Sequence, residues 1–124
     1  MKILVVDDEK DIKTLFEQRF RKEIKSNLVK FVFAFSGEEA LELMKDLQHE
    51  AVLILSDINM PGMSGLELLE HIKHQYLKPP PVVMMVTAYG DEENRKTATD
   101  LGADDFLTKP VDFKLLKDKL KLNN

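Results

Sequence analysis

The sequence predicts an α/β protein: a doubly wound, five-stranded parallel sheet with helices on both faces. Three observations carry this. Short apolar runs without alternation, Ile3–Val6, Ala51–Leu55 and Val82–Val86, suit strands buried on both faces of a parallel sheet. Segments whose apolar residues recur at helical spacing separate them, so strand and helix alternate along the chain. Right-handed crossovers leave few ways to wind five such units on one sheet, and the usual one is strand order 2-1-3-4-5 in three α/β/α layers, with a switch point between strands 1 and 3.

Each element has its own signal. Ile3-Leu4-Val5-Val6 is the first strand, ended by Asp7-Asp8-Glu9. Ile12, Leu15, Phe16, Phe20 and Ile24 follow at helical spacing, which predicts one amphipathic helix over residues 10–25, broken at Ser26-Asn27. Leu28–Phe35, with Phe31, Phe33 and Phe35 alternating, is the second strand. Ser36 with Glu39 three residues on has the form of a capping box, and the helix it opens carries a buried stripe of Ala40, Leu41, Met44 and Leu47.

The third strand, Ala51–Ser56, ends in an abrupt change of polarity. Asp57 stands at its carboxyl end, and Asn59, Pro61, Gly62, Ser64 and Gly65 read as a loop. Ser64 and Glu67 form a second capping box, opening a helix with Leu66, Leu69 and Ile72 inward. Pro79-Pro80-Pro81 cannot be helical and leads stiffly into the fourth strand, Val82–Val86, which Thr87-Ala88-Tyr89-Gly90 ends. Residues 91–101 are polar, with Ala98 and Leu101 almost alone as apolar anchors, so a helix here is weakly held and stops at Gly102. Asp105-Phe106-Leu107 is a short fifth strand and Lys109-Pro110 a break. Asp112 caps a last helix with Phe113, Leu116 and Leu120 inward and Lys114, Lys117, Lys119 and Lys121 outward.

Composition bounds the function. A chain of 124 residues is one domain with room for a real core, and 44% hydrophobic against 32% charged residues is a globular balance. The net charge of −4 and the absence of a Lys/Arg block give no nucleic-acid footprint. No apolar run approaches the roughly 18 residues of a membrane span, and Ile3–Val6 is too short for the core of a signal peptide. With no cysteine there is no disulfide, thiol catalysis or thiolate metal site. The expectation is a soluble, cytoplasmic, single-domain protein over residues 1–124.

Adjacent strands 1 and 3 bring Asp7, Asp8 and Asp57 to one edge of the sheet, the edge where open α/β proteins bind ligands. Two unit charges about 5 Å apart repel by roughly 3 kcal/mol at an effective dielectric of about 20, so three ionised carboxylates leave one protonated or require a cation. An all-oxygen site with room for water and phosphate suits Mg²⁺, and none of His49, His71 and His74 lies at a strand end, which argues against zinc. Taken singly, each residue has a plainer reading. Asp57 is a turn-former, Asp7-Asp8-Glu9 favours a helix dipole, Thr87 closes a strand, Lys109 is a solvated cation, Pro110 starts a helix and Phe106 is core. Their joint placement at the carboxyl ends of strands 1, 3, 4 and 5 outweighs the separate readings.

The runs ILVVDDE, LILSDINMPGMSGLELL, VVMMVTAYG and GADDFLTKP, in this order and spacing, resemble the receiver domains of two-component response regulators over essentially the full chain. The resemblance implies a flavodoxin-like (βα)5 fold and a phosphorelay signalling switch rather than an enzyme. Asp57 would accept a phosphoryl group as an aspartyl phosphate. Asp8 and Asp57 would ligate Mg²⁺ directly, Asp7 would help through water, and the Asn59 backbone carbonyl would complete the protein ligands. Lys109, placed by a cis Lys109-Pro110 peptide, would pair with one phosphoryl oxygen, and the Thr87 hydroxyl and Ala88 N–H would bind others. Thr87 would then move toward the phosphoryl group and Phe106 turn inward, reshaping the surface of the fourth predicted helix, fifth strand and last helix.

These roles agree with the chemistry. A carboxylate is ionised at neutral pH without a base, and phosphoryl transfer needs positioning and charge neutralisation more than covalent steps. The partners implied are a sensor histidine kinase or histidine phosphotransfer protein, a downstream output domain or protein, and a homodimer through the last two helices, with no nucleic acid or membrane. The resemblance also implies that at Tyr89, two residues beyond Thr87, a bulky ring would slow the approach of water. The rivals are a phosphorylation-independent interaction module, which would not keep Asp7, Asp8, Asp57, Thr87 and Lys109 intact, and a Mg²⁺ phosphohydrolase. The latter's nucleophile follows strand 1 in a DxD pattern, whereas Asp57 follows strand 3. A flavin phosphate would be repelled by Asp-Asp-Glu after strand 1, and a P-loop is absent.

Overall fold

Strands that are apolar on both faces fold only if both faces are covered. In the computed structural model, which describes residues 1–47, 52–75 and 81–122, five strands form one sheet: β1 Lys2–Val6, β2 Lys30–Ala34, β3 Val52–Asp57, β4 Val82–Thr87 and β5 Asp105–Thr108, of which β1, β3 and β4 are of this kind. All neighbours are parallel and the order is β2-β1-β3-β4-β5, the usual one among the few that right-handed crossovers allow. The helices are α1 Asp11–Arg19, α2 Arg21–Lys25, α3 Gly37–Leu47, α4 Gly65–Gln75, α5 Glu92–Asp100 and α6 Phe113–Lys119. The predicted start of strand 3 at Ala51 and the Pro79-Pro80 stretch lie outside the described residues.

Side-chain alternation divides the core in two. Leu4, Val6, Ile54, Val83 and Met85 meet Ala40 and Met44 of α3, Leu68, Leu69 and Ile72 of α4, and Ala98 of α5. Ile3, Val5, Leu55, Met84 and Val86 point the other way, onto Phe16, Phe20, Leu116 and Leu120. Five rings fill that second layer: Phe16, Phe20, Phe31, Phe33 and Phe113, with paired centroids 4.9–6.3 Å apart. Both capping boxes form, with Glu39 N–H donating to Ser36 Oγ and Glu67 N–H to Ser64 Oγ, and Asp112 caps α6 by accepting from Leu115 N–H.

Four expectations need correction. The single helix over residues 10–25 is divided at Phe20, where the backbone leaves the helical range (φ −107°, ψ 21°). Apolar spacing runs unbroken through Phe16, Phe20 and Ile24, so periodicity hides the bend, which falls where the Phe20 ring is locked among Phe16, Phe31 and Phe113. Strand 2 is shorter than Leu28–Phe35, since Leu28 is exposed. Helix α4 buries Leu68 fully and Leu66 only in part. Two lysines placed outward on the last helix reach back, because their stems are long. Lys117 Nζ lies 3.1 Å from Glu23 Oε2 and 5.1 Å over the Phe20 ring, and Lys119 Nζ lies 2.9 Å from Asp105 Oδ2.

Phe20 is fully buried, so Phe20→Ala leaves a cavity among rings that cannot collapse onto it. The expected cost is about 3–5 kcal/mol, read as a lower urea midpoint with an unchanged slope.

Candidate functional site

The sheet register builds the site. Val6 pairs with Ser56, so the next residue on each strand, Asp7 and Asp57, emerges at the same edge. Carboxylate oxygens of Asp7, Asp8 and Asp57 lie within 4.8 Å of one another. Asp57 is 3% exposed and Asp7 is buried, while Asp8 faces solvent. From β5, Lys109 reaches across with Nζ 2.7 Å from Asp57 Oδ2. Its backbone N–H donates to Thr87 O (2.9 Å), and the Lys109-Pro110 peptide is cis. Asp7 Oδ1 accepts from Glu9 N–H (2.9 Å) and Asp57 Oδ1 from Asn59 N–H (3.3 Å).

Thr87 ends β4 and is buried, opposite Thr108, one step beyond the Asp57–Val86 pair. Ala88 and Tyr89 after it are exposed. Phe106 lies lower, opposite Met85, half-buried against the layer that α3, α4 and α5 cover. Asp7, Asp8, Asp57 and Lys109 are thus brought together, Thr87 borders them, and Phe106 stands apart in the sheet.

Crowding shows in the charges. Burial pushes the Asp7 carboxyl up and the Asp57 charge adds to this, outweighing the Glu9 N–H and the Lys109 cation. Burial works against the Lys109 ammonium, but its bond to Asp57 and the charges of Asp57, Asp7 and Glu9 hold its pKa above the ordinary lysine value. Three convergent carboxylates are hard oxygen donors, so the residues fit a small divalent cation such as Mg²⁺.

Three glycines that sequence reasoning left as loop or cap shape the loop after Asp57. A Cβ at Gly65 would stand 2.0 Å from the Asp57 carbonyl oxygen, because the first turn of α4 packs directly on that peptide, and Gly65 N–H donates to Ile58 O at 2.7 Å. Gly62 sits at φ +71° under Glu38, and Gly37 lies against Met63. A glycine at the first position of a helix was the available signal, since glycine is costly there unless backbone approaches closely. Arg95 was also missed: its Cζ lies 4.7 Å over the Phe106 ring, a contact no sequence spacing shows.

Fold and site together define a doubly wound α/β protein with an acidic centre at the switch point of its sheet. The profile of the response regulator receiver domain matches residues 3–121, and the chain belongs to that family. Membership makes it a phosphorelay signalling domain, a switch rather than a conventional enzyme. It is 38% identical over 120 residues to a cyclic di-GMP phosphodiesterase of Thermotoga maritima, covering 97% of this chain but only 30% of that relative's length. Among solved structures it is similar to the receiver domain of NtrX from Brucella abortus (31% identity, TM-score 0.78, 97% of this chain and 95% of that one). It is similar also to the chemotaxis protein CheY4 of Vibrio cholerae (26% identity, TM-score 0.80, 98% and 96%). Among the described residues no helix is long and apolar enough to cross a membrane.

Two outcomes are expected. Gly65→Ala must displace the Asp57–Ile58 backbone, which costs about 1–3 kcal/mol as overpacking and shifts the Asp57 and Ile58 amide signals in an NMR spectrum. Asp105 supplies a pH test. Burial opposes its ionisation, but Lys119, the Phe106 N–H and Arg95 outweigh that and hold it below the ordinary value of 3.8. Its folded pKa is the lower one, so its contribution is full above 3.8 and is lost as pH falls through the lowered value. Asp105→Asn therefore unfolds at lower urea than the unsubstituted chain at pH 7, and the gap closes in acid below about pH 4.

Proposed function

We propose that this chain is a phosphoacceptor switch in which Asp57 takes a phosphoryl group from a histidine kinase or a histidine phosphotransfer protein. The observation that carries the reading is the three carboxylates within 4.8 Å with Lys109 Nζ 2.7 Å from Asp57. An Asp57 oxygen attacks the phosphorus of a phosphohistidine, the P–N bond breaks, and the released imidazole regains a proton from solvent. Lys109 neutralises one phosphoryl oxygen, and the Thr87 hydroxyl and Ala88 N–H receive others. Asp7, Asp8, Asp57 and the Asn59 carbonyl would hold Mg²⁺, which supplies charge neutralisation for the transferred group.

The added charge draws Thr87 toward the site and lets Phe106 turn inward, which alters the face formed by α5, β5 and α6. That face controls an output domain or partner and pairs two copies of the chain. The family relative named as a cyclic di-GMP phosphodiesterase is much longer than this chain, and an output of that kind is one such target. We place residues 1–124 in a single receiver domain working in the cytoplasm, away from membrane and nucleic acid.

With a small acyl phosphate as donor, the unsubstituted chain is expected to become labelled only with Mg²⁺ present, and chelation abolishes the label. Asp57→Asn should lose it entirely, as followed by intact-protein mass; undiminished labelling of that variant overturns the assignment.

A further inference from the structure

Helix α5 is polar almost throughout, and its one buried side chain is the small Ala98. Arg95 is exposed on this helix, yet its guanidinium lies over the half-buried Phe106 ring, 4.7 Å from the centroid. The same side chain borders a cavity of about 200 Å³ whose walls also include Thr87, Tyr89, Asp91 and Thr108. One residue thus touches both the ring and the space beside Thr87. A cation over an aromatic face favours the ring position that keeps it there.

We propose that Arg95 is a positioning residue that holds Phe106 in its resting place and so sets how readily the Asp57 site accepts a phosphoryl group. The inference rests on the reading of Asp57 and Phe106 given above and adds to it the group that opposes the change. Any rearrangement in which Phe106 leaves its place must first break the contact with Arg95, and that cost is subtracted from the affinity of Asp57 for its phosphoryl group. The sign is distinctive. Were Arg95 merely a cation near the site, its removal would weaken the binding of an anionic phosphoryl mimic; as a latch on Phe106, its removal strengthens it.

The test uses the full chain, with beryllofluoride and Mg²⁺ as the probe, in Arg95→Met, Phe106→Leu, the double variant and the unsubstituted chain. Affinity is read by calorimetry, and the Phe106 ring by its NMR signals in the absence of probe. Arg95→Met, which keeps an apolar stem, is expected to bind about two- to fivefold more tightly and to shift the Phe106 ring signals. In the Phe106→Leu background the same substitution leaves affinity unchanged. Unchanged or weaker binding by Arg95→Met, or an equal gain without the Phe106 ring, overturns the inference. Should the unsubstituted chain bind no probe, the phosphoacceptor reading falls instead, and the ring signals alone decide: a shift upholds the latch and unmoved signals end it.

Discussion

Carboxylates repel, and the fold nevertheless holds three of them within 4.8 Å at one edge of the sheet. At about 5 Å each ionised pair costs roughly 3 kcal/mol in a medium of effective dielectric about 20. Lys109 offsets part of this through its contact with Asp57, while burial, with the Asp57 charge added to it, still pushes the Asp7 carboxyl up. Nothing local gathers these groups. They are held there by register, since Val6 and Ser56 are fixed partners inside a ladder covered on both faces. A one-residue slip would turn every apolar side chain of β1 to the wrong layer, so the packing of the two cores is what keeps the acidic centre assembled.

The loop after Asp57 is held with equal strictness. Gly65 lets the first turn of α4 close on the Asp57 peptide, Ile58 N–H donates to Val86 O, and Ile58 itself is buried. Met63 and Glu38 bring the loop against the start of α3 at Gly37 and Gly62. The Asp57 side chain is therefore carried on rigid backbone, which suits the phosphoryl transfer proposed for it, a reaction that depends on placement.

How much of this was legible follows from what a linear pattern can encode. The uninterrupted runs of β1, β3 and β4 and the two Ser–Glu capping boxes gave the alternation, and crossover handedness gave the order, so Asp7 and Asp57 could be set side by side from sequence. The bend at Phe20 was not legible, because it arises from ring packing within a stripe whose spacing stays helical. Lys117 and Lys119 occupy polar positions by spacing, but a four-carbon stem lets the charge turn back to Glu23 and Asp105. Gly65 and Arg95 act through groups distant in sequence, the Asp57 peptide and the Phe106 ring. Pairings of this kind exist only once the sheet has closed.

The two ends of α5 differ in a way that suits a lever. Beyond its C-terminus, Asp104 Oδ2 accepts from both Lys73 Nζ (2.9 Å) and Val83 N–H (2.8 Å), and Lys73 also donates to Pro81 O (2.9 Å), tying α4, β4 and the start of β5 together. At the other end Asp91 caps the helix from within its own turn, through Asn94, and the approach through Tyr89 and Gly90 is exposed. A displacement at Thr87 meets α5 at this lightly held end, while the far end is pinned. Local opening follows the path of fewest buried contacts, so the polar helix yields before the sheet does, and the change of charge proposed at Asp57 would alter one face of the molecule while both cores stay packed.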